Sequence, residues 1–173
     1  TRAARAFEKG AERAPLLHIE YTLPSGGTNA APTLDLDGSA AGTGYATTFT
    51  ENGAPVAIAD ADLLIADTDS ANLMRATVTL TNAQAGDQLV VNTAGLPAGI
   101  TVSSTSTATS IVLTGAASPA AYQTALRQIA FSNTSELPAE VNRVINVTVS
   151  DGTATSSIAV TTVAIDRAPD AAN

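Results

Sequence analysis

Residues 114–152 read TGAASPAAYQTALRQIAFSNTSELPAEVNRVINVTVSDG and hold the one convincing helix signal in a chain of 173 residues. Ser118 is a good N-cap, and Pro119 takes a first-turn position where its missing N–H would have had no partner. Tyr122, Leu126 and Ile129 fall at i, i+4 and i+7, which gives one apolar face and predicts a helix over about 118–129. A strand-like IAFSN follows, then a polar loop with Pro138, then RVINVTVSDG with the alternation of a half-buried strand. One short helix set among strands points to an all-β sandwich.

The rest of the chain reads as short strands rich in Thr, Val and Ala. Period-2 alternation and the turns between runs predict strands at 33–36, 45–50, 56–59, 76–81, 88–92, 100–102, 110–114, 130–133, 144–150 and 156–165. Turn signals such as Asn52-Gly53, Pro97-Ala98-Gly99 and Asp151-Gly152 separate them. In the last strand Ile158 and Val160 share one phase while Val163 and Ile165 share the other, so a bulge is expected near Thr161-Thr162. With three Phe, three Tyr and no Trp, the core must be built from Val, Ile, Leu and Ala. Tyr122 is expected in that core, and Arg127 and Arg143 are expected to make local ion pairs or to cover apolar surface with their stems.

The N-terminal end differs from the rest. Residues 1–14 are charged and Ala-rich without an apolar stripe, whereas Leu17, Ile19, Tyr21 and Leu23 alternate with His18, Glu20 and Thr22 as in a separate amphipathic strand. Pro24-Ser25-Gly26-Gly27 then reads as a linker. The division expected is an N-terminal extension at 1–28, a β-sandwich at 29–166 and the start of a further linker at 167–173. Asn29-Ala30-Ala31-Pro32 is echoed by Asp166-Arg167-Ala168-Pro169, 137 positions later, as one repeat followed by the beginning of the next would be.

Ser118, Pro119, Tyr122, Leu126, Ile129, Phe131, Asn133, Pro138, Arg143, Val147, Val149, Asp151, Gly152 and Ser156 together make a pattern. It resembles the closing half of the cadherin-like tandem repeats of very large secreted bacterial adhesin-type surface proteins. Ala31-Pro32, Tyr45, Glu51-Asn52-Gly53, Asp60-Ala61-Asp62 and Asp67-Thr68-Asp69-Ser70 extend the resemblance upstream, so that it covers about 29–169. It implies an immunoglobulin/cadherin-like β-sandwich, outside the cell or on its surface, with structural or adhesive rather than catalytic work. The string RAPLLHIEY within residues 1–24 resembles the closing strand of a preceding jelly-roll module of the carbohydrate-binding kind.

Charge narrows the partners. The net charge is −8, all ten Asp lie at or beyond residue 35, and the sole Lys is Lys9. Such a surface disfavours nucleic acid and anionic membranes and favours cations. No long apolar run and no signal peptide are seen, so no membrane insertion is expected and the chain reads as a piece of something larger. There is no Cys, and His18 is the only His, which leaves no typical zinc set and no Ser/His/Asp nucleophile motif. Paired carboxylates with so few aromatic residues make a poor glycosidase site, and no enzyme activity is expected.

The best candidate site is acidic. Asp60 and Asp62 are two apart, as are Asp67 and Asp69, so in extended backbone each pair projects to one side, roughly 6.5 to 7 Å apart. If 63–66 brings the pairs together, four carboxylates converge and call for a cation. Calcium suits them, with about 6 to 8 oxygen ligands and tolerance of irregular geometry. Glu51 is included in the set, with Asp35, Asp37 and Asp151 as further oxygen donors. The alternative is an acidic, solvated loop. Relative to the Asn-Asp-Ala-Pro linkers of the family, Ala30 and Arg167 stand where a second acid is usual, which favours an ion inside the domain over one at the joint.

Three functions compete. The first is a calcium-stabilised structural or adhesion module whose partners are neighbouring domains, copies of itself, or surface glycans and proteins. The second is a filament subunit in which Leu17, Ile19, Tyr21 and Leu23 complete a neighbouring subunit's sheet. The third is a carbohydrate-binding accessory module, which the lack of Trp disfavours.

Overall fold

Threonine and β-branched residues at alternate positions give eleven strands in a computed structural model that describes residues 27–167. The strand expected at 16–23, with Leu17, Ile19, Tyr21 and Leu23, lies outside the described residues, as do His18 and residues 168–173. The strands are β1 (Thr33–Asp35), β2 (Tyr45–Thr50), β3 (Val56–Ala57), β4 (Leu64–Ala66), β5 (Leu73–Leu80), β6 (Asp87–Val91), β7 (Thr101–Val102), β8 (Ser110–Ala117), β9 (Ile129–Asn133), β10 (Arg143–Ser150) and β11 (Ala159–Asp166). Helix α1 (Pro119–Leu126) joins β8 to β9.

The strands form a six-stranded sheet in the order β2-β11-β10-β5-β8-β7, a three-stranded sheet β3-β9-β6 and a two-stranded sheet β1-β4. The result is an all-β sandwich with one short helix. β10 shows how its sequence makes a layer. Arg143, Ile145, Val147 and Val149 point inward, while Val144, Asn146, Thr148 and Ser150 stand on the outer face. The inward rows of β5, β8 and β11 add Val78, Leu113 and Val163, and Leu89, Ile129 and Phe131 close the core from the smaller sheet. Phe49 of β2 meets Phe131 of β9 edge-to-face, with ring centroids 5.5 Å apart, so the two sheets touch through an aromatic pair.

The helix starts as expected and stops earlier. The Ser118 hydroxyl accepts from the Ala121 N–H at 3.3 Å, and Pro119 opens the first turn. Tyr122, Leu126 and Ile129 are all fully buried. Ile129, however, begins β9 opposite Val91 instead of ending the helix. The Tyr122 hydroxyl donates to the Gly115 carbonyl at 2.7 Å, and burial pushes its pKa up to about 12 against a small opposing pull from Arg75. Gly115 itself has φ 137°, and a Cβ there would fall 1.8 Å from the Gly99 carbonyl oxygen, so only glycine fits.

Two local expectations are corrected. No bulge occurs near Thr161-Thr162: β11 keeps continuous register with β10 and β2. Thr161 is instead buried, its hydroxyl donating to the Ile58 carbonyl, and Ile158 and Val160 are left outward. A satisfied hydroxyl in the core removes the phase conflict that apolar residues alone imply. The irregularity lies in β5, between Leu73 and Arg75, where Leu73 and Ala76 are both buried and one residue too many separates them for strict alternation. Strand β4 was not expected at all.

At the start of β10, Arg143 is fully buried and its Nε donates to Asp87 Oδ2 of β6 at 2.5 Å. Asn133 Nδ2 of β9 donates to Asp87 Oδ1 at 2.7 Å, and the Gln84 N–H donates to Oδ2 at 2.7 Å. Arg143 Nη1 donates to the Ala139 and Val141 carbonyls. The ion-pair expectation for Arg143 therefore holds, across the sandwich rather than locally. Arg127 makes a different contact, donating to the Ala61 carbonyl.

Strand directions set the ends of the domain. β10 runs from Arg143 to Ser150, and β11 runs back so that Arg143 lies opposite Val163. β2 runs parallel to β11, with Thr50 opposite Asp166. Asp166 and Thr50 thus lie at one end of the sandwich, the C-terminal pole, and the loop after Ser150 lies at the other, the N-terminal pole.

Removing one partner of a buried ion pair leaves an uncompensated charge, a cost of about 3–5 kcal/mol. Asp87→Ala is expected to lower unfolding free energy in urea by about that much, and Asp87→Ala with Arg143→Met is expected to lose less than the sum of the single changes. Additive losses would mean that the two side chains are not coupled.

Candidate functional site

The acids expected to converge are divided by β4. The Gln123 side chain donates to the Leu63 carbonyl at 2.7 Å and Arg127 holds the Ala61 carbonyl, so α1 fixes the segment just before the strand. Three residues of extended chain, on the order of 10 Å, then separate the Asp60–Asp62 side of β4 from the Asp67–Asp69 side. Four carboxylates do not meet. Asp60 Oδ1 accepts the Asp62 N–H, and Asp62 Oδ1 accepts the Gly38 N–H. Asp35 Oδ1 accepts from Asp37, and Asp37 Oδ1 accepts from Ser39 and Ala40. Asp35, Asp37 and Asp60 thus satisfy the backbone of their own turns, and Asp62 ties the turn after β1 to the segment before β4.

Glu51 lies elsewhere again. It follows β2 at the C-terminal pole, where its N–H donates to the Asp166 carbonyl at 2.8 Å. Its side chain is 6% exposed, and Oε2 is buried without a hydrogen-bond partner. The neighbouring Asn52 adopts φ 59° and turns the chain, its amide donating to Glu136 Oε2 at 3.3 Å.

The second acidic pair does form a cluster, with partners from distant sequence. Asp67 Oδ1 accepts the N–H groups of Asp69 and Ser70 at 3.1 and 2.9 Å, closing a tight turn just after β4. Asp69 Oδ2 accepts the Ala30 N–H at 2.9 Å. Asp151, in the loop after β10, accepts from Asn29 Nδ2 at 2.8 Å and from the Ser70 hydroxyl at 3.2 Å through Oδ2. Its Oδ1 takes the Thr153 and Ala154 N–H groups, both at 2.7 Å. The N-terminal pole is thus an acidic surface against which the leading residues Asn29 and Ala30 are docked.

Asp67, Thr68, Asp69, Ser70 and Ala71 line an open notch of about 210 Å³ at this pole. Asp67 Oδ2 is buried there with no hydrogen-bond partner. Asp69 Oδ2 and both Asp151 carboxylate oxygens already accept hydrogen bonds. Among the described residues, no group of three or more His, Cys, Asp or Glu side chains is arranged to hold a metal ion. Among the described residues Asp67 Oδ2 and Asp69 Oδ1 accept no hydrogen bond, so calcium would find two carboxylate oxygens here and would complete its shell with oxygens from water or from outside the described residues.

Asn29 and Ser70 are site residues that the sequence reading left aside. Asn29 was marked only as part of the echoed linker, and nothing local signals a contact with a residue 122 positions away. No protein-family model, curated protein or solved structure matches the chain.

Hydrogen bonds from the Ala154 backbone, the Asn29 amide and the Thr153 backbone, with a smaller part from Ser70, lower the Asp151 pKa to about 2. A lowered carboxylate pKa contributes stability that is present above the ordinary value near 3.9 and is lost as pH falls through about 2. In calcium-free buffer, the NMR signal of the Asp151 carboxyl is expected to titrate with a midpoint near 2, together with the Asn29 side-chain amide. A midpoint near 4, the ordinary carboxyl value, would show that neither the loop N–H groups of Ala154 and Thr153 nor the Asn29 amide hold the carboxylate.

Proposed function

We propose that residues 29–166 are one cadherin-like repeat of a large secreted bacterial surface protein, a non-catalytic structural or adhesion module stabilised by calcium. The observation that carries this reading is the arrangement of the ends. The chain docks at one pole through Asn29 and Ala30 and leaves from the other at Asp166, and the same kind of string, ending in Ala-Pro, stands at both places. A module of this shape extends a string of copies in one direction.

The 137-residue echo places Asp166 and Arg167 where Asn29 and Ala30 stand in this repeat. Asn29 donates its amide to Asp151. An aspartate in that position has no proton to donate, so two carboxylates would face one another across the joint and favour a bridging cation. Asp67 Oδ2, buried and unpartnered in the adjoining notch, supports the same cation preference.

Calcium sites of extracellular modules bind in about the 10⁻⁴–10⁻³ M range, so a tenfold excess over Kd adds about 1.4 kcal/mol. The melting temperature is expected to rise in millimolar calcium, to fall in excess chelator, and to lose that response in the Asp67→Asn, Asp69→Asn double variant. An identical melt with and without calcium would remove the ion from this reading. For the tandem arrangement, a two-unit chain joined at the 137-residue period is expected to scatter X-rays as an extended rod of about twice the single-unit length. A compact, folded-back pair would reject it.

A further inference from the structure

Tension between the two ends of this domain is not shared equally by its strands. The leading segment is held at the N-terminal pole by the contacts of Asn29 with Asp151 and of Ala30 with Asp69. Behind them β1 is joined to β4 by only three register pairs, Thr33–Ala66, Leu34–Ile65 and Asp35–Leu64. Leu34 and Leu36 add two buried side chains. The chain then loops back, with the Leu36 N–H bonded to the Thr43 carbonyl, and enters β2 at Tyr45.

From Tyr45 onward the attachment is of another kind. β2 and β11 run parallel through six register pairs, from Tyr45–Thr161 to Thr50–Asp166. A pull on the first residue of β2 towards the N-terminal pole, against a pull on Asp166 towards the C-terminal pole, slides these strands past each other. All six pairs are then loaded together. β11 is held on its other side by β10 through five more pairs.

We propose that residues 29–44 are a length reserve, drawn out by tension before the parallel β2–β11 pair yields and redocked when tension falls. The reserve works as extension because its contour exceeds the distance it covers: Asn29 sits at the N-terminal pole beside Asp151, and Tyr45, level with Thr161 and Ile145, lies midway along the sheet, roughly 20 Å away. Sixteen residues at about 3.3–3.6 Å each reach roughly 55 Å, of which roughly 20 Å is already spanned, leaving roughly 35 Å of new reach. The six-stranded sheet stays assembled meanwhile, because β2 begins only after the reserve ends, and the core gives up only Leu34 and Leu36. The biological source of tension rests on the tandem-array reading above; the order in which the strands yield rests on the topology alone.

The test is single-molecule stretching of the full chain, tethered through its first and last residues. The expected record has two steps: a first lengthening of roughly 35 Å at the lower force, then a second of roughly 400 Å as residues 45–166 unravel. A single all-or-none lengthening would overturn the proposal. A Thr33→Cys, Ala66→Cys variant adds a second reading. These two residues are register partners with exposed side chains, within reach of a disulfide, and the chain has no other Cys. Oxidation is expected to abolish the first step and reduction to restore it; a first step that persists in the oxidised protein would assign the early release to another segment. A two-unit chain that folds back would reject the array while leaving both steps in place, so the two failures are distinguishable.

Discussion

Arg143 and Asp87 join two sheets that share no hydrogen-bonded strand. β10 belongs to the six-stranded sheet and β6 to the three-stranded one, so apolar packing alone would let the layers settle in several alignments. A guanidinium has no such freedom. Its Nε needs the Asp87 carboxylate, its Nη1 needs the carbonyls of Ala139 and Val141, and Asp87 in turn takes donors from Asn133 and Gln84. Burying this set costs desolvation that hydrophobic residues of the same volume would avoid. What it supplies is one alignment of the layers, with the 134–142 loop tied to the same point.

The two poles are consequently built on different physics. Near the C-terminal pole Arg143 and Asp87 are buried and joined in a network, with Arg143 Nη2 and Glu51 Oε2 buried but without a hydrogen-bond partner among the described residues, and local solvent and salt have little access to them. At the N-terminal pole the surface carboxylates of Asp69 and Asp151 hold the leading segment by single hydrogen bonds, each a contact of modest net strength. The firm end holds the last strand of the domain and the looser end holds the first. An ordered release from the N-terminal side follows from that asymmetry as much as from the number of paired residues in β1 and β2.

How much of this was legible from the sequence depended on range. Local signals read well: Ser118 and Pro119 marked the helix start, the Tyr122–Leu126–Ile129 face marked what it buries, and 45–50 was read as a strand with the bounds the structure gives. β4 escaped because three residues cannot display a period, and acids on both sides made it read as loop. The bulge was misplaced because an apolar-only pattern treats Thr161 as outward, whereas its hydroxyl has a core partner. For the site, Asp151 was legible as a further oxygen donor beside Asp67 and Asp69, and the structure brings it to Ser70, whereas Asn29 carries no local signal. Asn29, Ser70 and Asp151 come from three separate segments: the loops after β4 and β10 meet through Ser70 and Asp151, and the leading segment docks on them through Asn29.

The direction of the last strand decides what the domain can be used for. Had β11 paired with an antiparallel β2 in the same place, the path from the leading segment to the last residue would have been reversed. A pull between the two ends would then have unzipped the pair one register at a time. The parallel pair instead has the chain turn back after Leu36 and enter β2 level with Thr161, midway along the sheet, so β2 and β11 both run to the C-terminal pole and the same pull loads them in shear. The same return that sends successive copies onward in a line also creates the loop of 36–44, which lies outside the sheet hydrogen bonding. Direction and reserve length are thus two results of one topological choice, and a change that removed the loop would have to reverse the strand as well.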